Sequence, residues 1–154
     1  MTIIQALKKI KQLSRKIETT KERISTWCSY QSDEDPLYKD IQGMKQSVFD
    51  MQVEIAKIRH AIHVLNATAK VNFKGKETTL DELLLEATVT IPSKLDILSK
   101  LRRKEKHRFG QNQADVKIIL QYDPLERDKE VDKLTELKAE INDFIDVCNI
   151  TLEL

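Results

Sequence analysis

The sequence predicts a mostly α-helical protein: a long antiparallel helical hairpin or coiled-coil bundle over residues 1–154, with a small β-hairpin or three-stranded sheet at one end. Three observations predict it. Only 3 glycines and 3 prolines occur among 154 residues, and 33% of the side chains are charged against 5% aromatic, a composition that favours long helices over many-turned β structure. An apolar repeat in alternating steps of four and three runs from Leu37 to Ala69. Beyond it, the period shortens to two around a Lys74-Gly75 turn.

The first helix is expected over about 2–28, with Ile3, Leu7, Ile10, Ile17 and Ile24 on one stripe and Leu13, Thr20 and Trp27 beside it. Ser14 and Lys21 interrupt that stripe. A polar stretch, Ser29 to Asp35, then leads into Asp35-Pro36, an N-cap followed by a first-turn proline. The second helix, about 36–69, carries Leu37, Ile41, Met44, Val48, Met51, Ile55, Ile58, Ile62, Leu65 and Ala69 in unbroken register. Such a 3.5-residue period specifies a coiled-coil seam, roughly 50 Å long at 1.5 Å per residue. Gly43 sits beside Met44, at a cost of about 1 kcal/mol relative to alanine, and a close helix–helix or subunit contact is expected there.

Residues 70–79 read as a β-hairpin, with Val71 and Phe73 on one face. Thr79-Leu80-Asp81-Glu82 matches a capping box and opens a third helix, about 80–107, kinked or briefly broken at Pro92. Residues 115–122 alternate Val116, Ile118, Leu120 and Tyr122 with polar neighbours, as a strand joining the hairpin would. Asp123-Pro124 starts a last helix, about 124–150, with Val131, Leu134, Leu137, Ile141, Phe144, Ile145 and Cys148 inward.

The composition excludes several classes of function. Three scattered glycines cannot cradle a phosphate or dinucleotide, so no cofactor is expected. Charge is balanced, 26 Lys and Arg against 25 Asp and Glu, and no global field draws the chain to nucleic acid or to an anionic membrane. Cys28 and Cys148 are far apart, which suits a reducing compartment, and each is expected to be a small buried residue at a stripe's end rather than a catalytic thiol. The N-terminus lacks the apolar run of a signal peptide and no segment is long enough to span a bilayer. The expected location is therefore cytoplasmic, or within a particle.

Two local patterns bear on binding. His60 and His63, at i and i+3, could share a metal, but no third ligand lies nearby, so a solvated or interfacial pair is expected. The run Lys100, Arg102, Arg103, Lys104, Lys106 and Arg108 could meet nucleic acid or an acidic partner. It also lies where a helix end favours cations, without the aromatics that stack bases.

Short stretches resemble the septicolysin-like family of small helical bacterial and phage-associated proteins: Asn66-Ala67-Thr68, Gly75, Thr79-Leu80 and Asn149-Ile150-Thr151-Leu152-Glu153-Leu154. The sequence departs from that pattern after Leu80, where Glu86-Ala87-Thr88 replaces an Arg-Arg-Asp stretch, and at Ile150, where an aromatic is usual. The resemblance implies a helical hairpin with a small β element and no established enzymatic activity.

A seam of ~50 Å is longer than one interrupted helix can cover. The favoured function is therefore a non-enzymatic structural or assembly protein, a homo-oligomer that would suit a phage or virion component and assemble through Leu37, Ile41, Met44, Val48, Met51, Ile55, Ile58, Ile62 and Leu65. The alternative is a membrane-active, toxin-like protein that exposes the Met44–Ile62 stripe after rearrangement. Nucleic-acid binding through residues 100–108 is a third reading.

Overall fold

The computed structural model describes residues 1–35, 40–101 and 119–154. Helix α1 (Ile3–Trp27) starts from Thr2, whose hydroxyl accepts the Gln5 N–H while the Gln5 side chain returns to the Thr2 N–H, a reciprocal capping box. Helix α2 spans Ile41–Thr68 and is capped by Asp40, whose carboxylate accepts the Gly43 N–H at 2.7 Å. The expected start at Asp35-Pro36 abuts residues 36–39, which lie outside the described residues, as does Leu37. Strands β1 (Lys70–Phe73) and β2 (Lys76–Thr79) pair as the hairpin, and Lys74 and Gly75 turn it with φ of 51° and 82°. Two successive positive φ values are what a I′ turn needs. Helices α3 (Leu80–Leu85), α4 (Ile91–Ser99) and α5 (Pro124–Thr151) complete the order.

The capping box at Thr79 is present, with Glu82 reaching back to the Thr79 N–H. At Pro92 the helical path is not broken. Instead, Glu86–Thr90 form a π turn between α3 and α4, and the Ile91 N–H reaches back five residues to the Glu86 carbonyl. Proline lacks an N–H and crowds the carbonyl four residues before it. A single widened turn absorbs both defects while the helix continues. Helix α4 ends at Ser99 rather than near 107, and residues 102–118 lie outside the described set. The expected third strand falls partly among them. Residues 119–122 form no strand, and the described sheet has two strands.

The described residues group into two compact units: Met1–Lys70 with Asp146–Leu154, and Val71–Ile145. In the first, α1 and α2 form an antiparallel hairpin, with Trp27 beside Gly43 at one groove and Ile17 beside Ile55 at another. Its core joins Ala6, Leu13 and Ile17 to Val48, Ile55 and Ile58, flanked by Ile10, Ile24, Met51 and Ile62. Truncating such an isoleucine to alanine typically costs about 2–5 kcal/mol.

The inward residues of α1 are thus Ile3, Ala6, Ile10, Leu13, Ile17, Thr20, Ile24 and Trp27, all buried or half-buried in their own 3-4 register. Leu7, which the sequence reading places on the stripe, is exposed. It lies one residue, or 100° of helix, beyond Ala6. Ser14 and Lys21 therefore do not interrupt the α1 seam. The tail closes this unit: Thr2 and Glu153 form an antiparallel bridge, the Ile3 N–H donates to the Leu152 carbonyl, and the Leu154 N–H to that of Met1.

In the second unit, Phe73 meets Phe144 edge-on at 5.3 Å, and Lys74 pairs with Glu140. The Leu101 carbonyl, just past α4, accepts both the Tyr122 hydroxyl at 3.0 Å and the Arg127 guanidinium at 2.9 Å. Every apolar position expected to face inward on α5 within these bounds is buried or half-buried.

Candidate interaction surface

Of the nine seam residues expected to drive assembly, Leu37 lies outside the described residues and the other eight do not form an open surface. Met44, Val48, Ile55 and Ile58 are buried, and Ile41, Met51, Ile62 and Leu65 are half-buried. Because the α1 register is unbroken, one helix of 25 residues covers most of a 28-residue partner. The premise that a single helix could not satisfy the seam is corrected by that register. The stripe that a membrane-active reading needs, Met44 to Ile62, is the same packed seam. No helix of the described residues is long and apolar enough to cross a membrane.

Helix α2 carries a second stripe, on its outer face. Phe49, Val53, Ala56, His60, His63 and Ala67 also follow steps of four and three, and every one is exposed. Phe49 and Val53 each leave 53% of their surface open, and Val64 beside them 47%. A helix with one buried face normally presents polar side chains on the other. Phe49, Val53, Ala56 and Val64 break that rule over about 22 Å of helix. Exposed apolar side chains gathered on one helix face mark interaction sites.

Charged and amide groups flank the stripe. On one side stand Asp50 and Lys57, where the Gln46 amide donates to one Asp50 oxygen at 2.8 Å. On the other stand Gln52 and Arg59, which line an open groove with Glu18 and Lys21 of α1. This is the pattern of a coiled-coil face, an apolar strip with polar edges. It was readable in the sequence as a second repeat, displaced alternately by one and two residues from the stronger seam, which masked it.

His60 and His63 lie exposed on this outer stripe. Among the described residues no three metal-ligating side chains cluster. Of the basic run, Lys100 is described and pairs with Asp96 at 2.5 Å; Arg102, Arg103, Lys104, Lys106 and Arg108 lie outside the described residues. A second basic surface was missed in the sequence. Helix α1 carries seven Lys and Arg against two Glu, with Arg15, Lys16 and Arg23 around a second open groove that Ser47 and Met51 also line. Lys9 of this set bridges to Glu54 of α2 at 2.5 Å.

Of the two cysteines, Cys148 is buried as expected, and burial pushes its thiol above the ordinary range. Cys28 is exposed. It caps the C-terminus of α1, one residue past the last turn that packs on α2.

The sequence model of a family of unknown function (DUF6847) matches residues 11–154. No curated protein and no solved structure matches the chain.

Proposed function

The chain belongs to that family of unknown function, and on that premise we propose that it is a non-enzymatic assembly protein that self-associates through the outer face of α2. The observation that carries this reading is the exposed repeat of Phe49, Val53 and Val64 on a helix whose other apolar face is already packed. Nothing in the α1–α2 hairpin requires those side chains for its own stability. Leaving them in water gains nothing for a monomer, whereas burying each large apolar side chain contributes about 1.5–3 kcal/mol. The test is sedimentation velocity of the full chain from low to high micromolar concentration, alongside Phe49→Glu. Self-association that Phe49→Glu abolishes, with helicity unchanged, supports the reading. A monomer throughout, or an oligomer indifferent to Phe49→Glu, overturns it.

A further inference from the structure

We infer that the occupant of the α2 outer face is the same face of a second copy of this chain, lying antiparallel, with the two-fold axis between residues 54 and 55. The inference rests on the assembly reading above and deepens it.

Antiparallel helices pair the two alternating core positions of one strip with those of the other. On α2 the register that sets Phe49 against His60 of the other copy also sets Val53 against Ala56, and each pair occurs twice by symmetry. The flanks then follow. On one edge Asp50 meets Lys57 of the other copy, twice, and on the other Gln52 meets Arg59, twice. All these positions are exposed. Opposite charges therefore face each other on one edge, and an amide faces a guanidinium on the other, where complementary groups set partner choice and orientation.

The same axis lies midway along Ile41–Thr68, so the two helices overlap over their whole length, about 42 Å. Sliding the pair by one heptad shortens the overlap and separates Asp50 from Lys57. A parallel pair instead stacks His60 on His60 and His63 on His63, and brings Lys45 rather than Lys57 to Asp50. Each large side chain of the antiparallel register meets a flat or small one, and no like charges meet.

Charge exchange discriminates the registers, because all the residues involved are exposed and none supports the hairpin core. Asp50→Lys should weaken self-association about tenfold by placing two like-charged pairs at the interface. Adding Lys57→Asp should restore it, whereas adding Lys45→Asp should not. Spin labels give an independent reading in a Cys28→Ser, Cys148→Ala background of unchanged helicity. Labels on Lys45→Cys should sit about 28 Å apart along the axis, and labels on Gln52→Cys about 8 Å apart. Rescue by Lys45→Asp in place of Lys57→Asp, or two equally short label distances, overturns the antiparallel register while the assembly reading stands. A monomeric wild type overturns both.

Discussion

The Asp40 carboxylate holds the Gly43 N–H at 2.7 Å, so close over the first turn of α2 that a Cβ on residue 43 would lie 2.0 Å from Asp40 Oδ2. The helix cap thus gives the glycine a local reason, at the position where the sequence reading expected a close helix–helix or subunit contact. Gly→Ala in a helix ordinarily gains about 1 kcal/mol, and losing a cap costs about 0.5–2 kcal/mol. Gly43→Ala alone should therefore leave stability nearly unchanged or lower it. In an Asp40→Ala background the same substitution should stabilise by about 1 kcal/mol. A double-mutant cycle by urea unfolding checks this; equal effects in both backgrounds would show that the cap and the glycine are not coupled.

Glu82 joins the hairpin to α3. Its carboxylate accepts the Thr78 hydroxyl and the Thr79 N–H, and Lys76 lies near, so its pKa is held below the ordinary 4.5. A carboxylate with a lowered folded-state pKa contributes stability above its unfolded value and loses it as pH falls through the folded one. Wild-type stability should thus decline on acidification from about pH 4.5 downward, and Glu82→Gln should flatten that part of the profile. Identical profiles for the two proteins would remove the cap from the acid response.

The two thiols should differ sharply in reactivity. Cys28 is exposed, whereas Cys148 is buried with its thiol pushed toward the protonated form. Because the thiolate is the reacting species, a thiol-specific reagent should label one cysteine per native chain promptly and the second only on unfolding. Mass mapping should place the first label on Cys28. Prompt native labelling of Cys148 would contradict its burial.

Two backbone hydrogen bonds, from the Ile3 N–H to the Leu152 carbonyl and from the Leu154 N–H to the Met1 carbonyl, make up the Thr2–Glu153 bridge and tie the tail to the start of α1. At about 0.5–1.5 kcal/mol per net hydrogen bond, removing Leu152–Leu154 should lower stability by roughly 1–3 kcal/mol. Hydrogen exchange should speed at the Ile3 amide while the Ile55 amide, in the middle of α2, keeps its rank. Unchanged protection at Ile3 would mean that the tail does not hold the helix start.

Much of this fold was legible because local chemistry and tertiary packing agree. The 3.5-residue period from Ile41 to Leu65, the Lys74-Gly75 turn and the Thr79–Glu82 cap each specify one conformation, and the structure contains all three. What was hidden depended on choosing between neighbouring positions or on long-range pairing. Leu7 and Ala6 differ by one residue, and hydrophobicity favours the exposed one, whereas Ala6 is the one buried in the core. The π turn before Pro92 is a tertiary solution to a local defect that could equally have broken the helix. The Thr2–Glu153 bridge joins positions at opposite ends of the sequence, with no pattern to announce it. The outer stripe of α2 was present as a second repeat, obscured by the stronger one beside it.

The central claim is that the outer face of α2 is an interface, and the most direct measurement is the concentration dependence of molar mass by sedimentation equilibrium, for wild type and Val53→Glu side by side. Val53 lies next to the proposed two-fold axis, is 53% exposed in the single chain, and takes no part in the hairpin core. The account predicts a wild type that rises to twice the chain mass across the micromolar range and a Val53→Glu protein that stays monomeric with the same helicity, its unfolding midpoint matching the wild type only at concentrations low enough for the wild type to be monomeric too. A wild type that remains monomeric, or a Val53→Glu protein that dimerises as the wild type does, would contradict it.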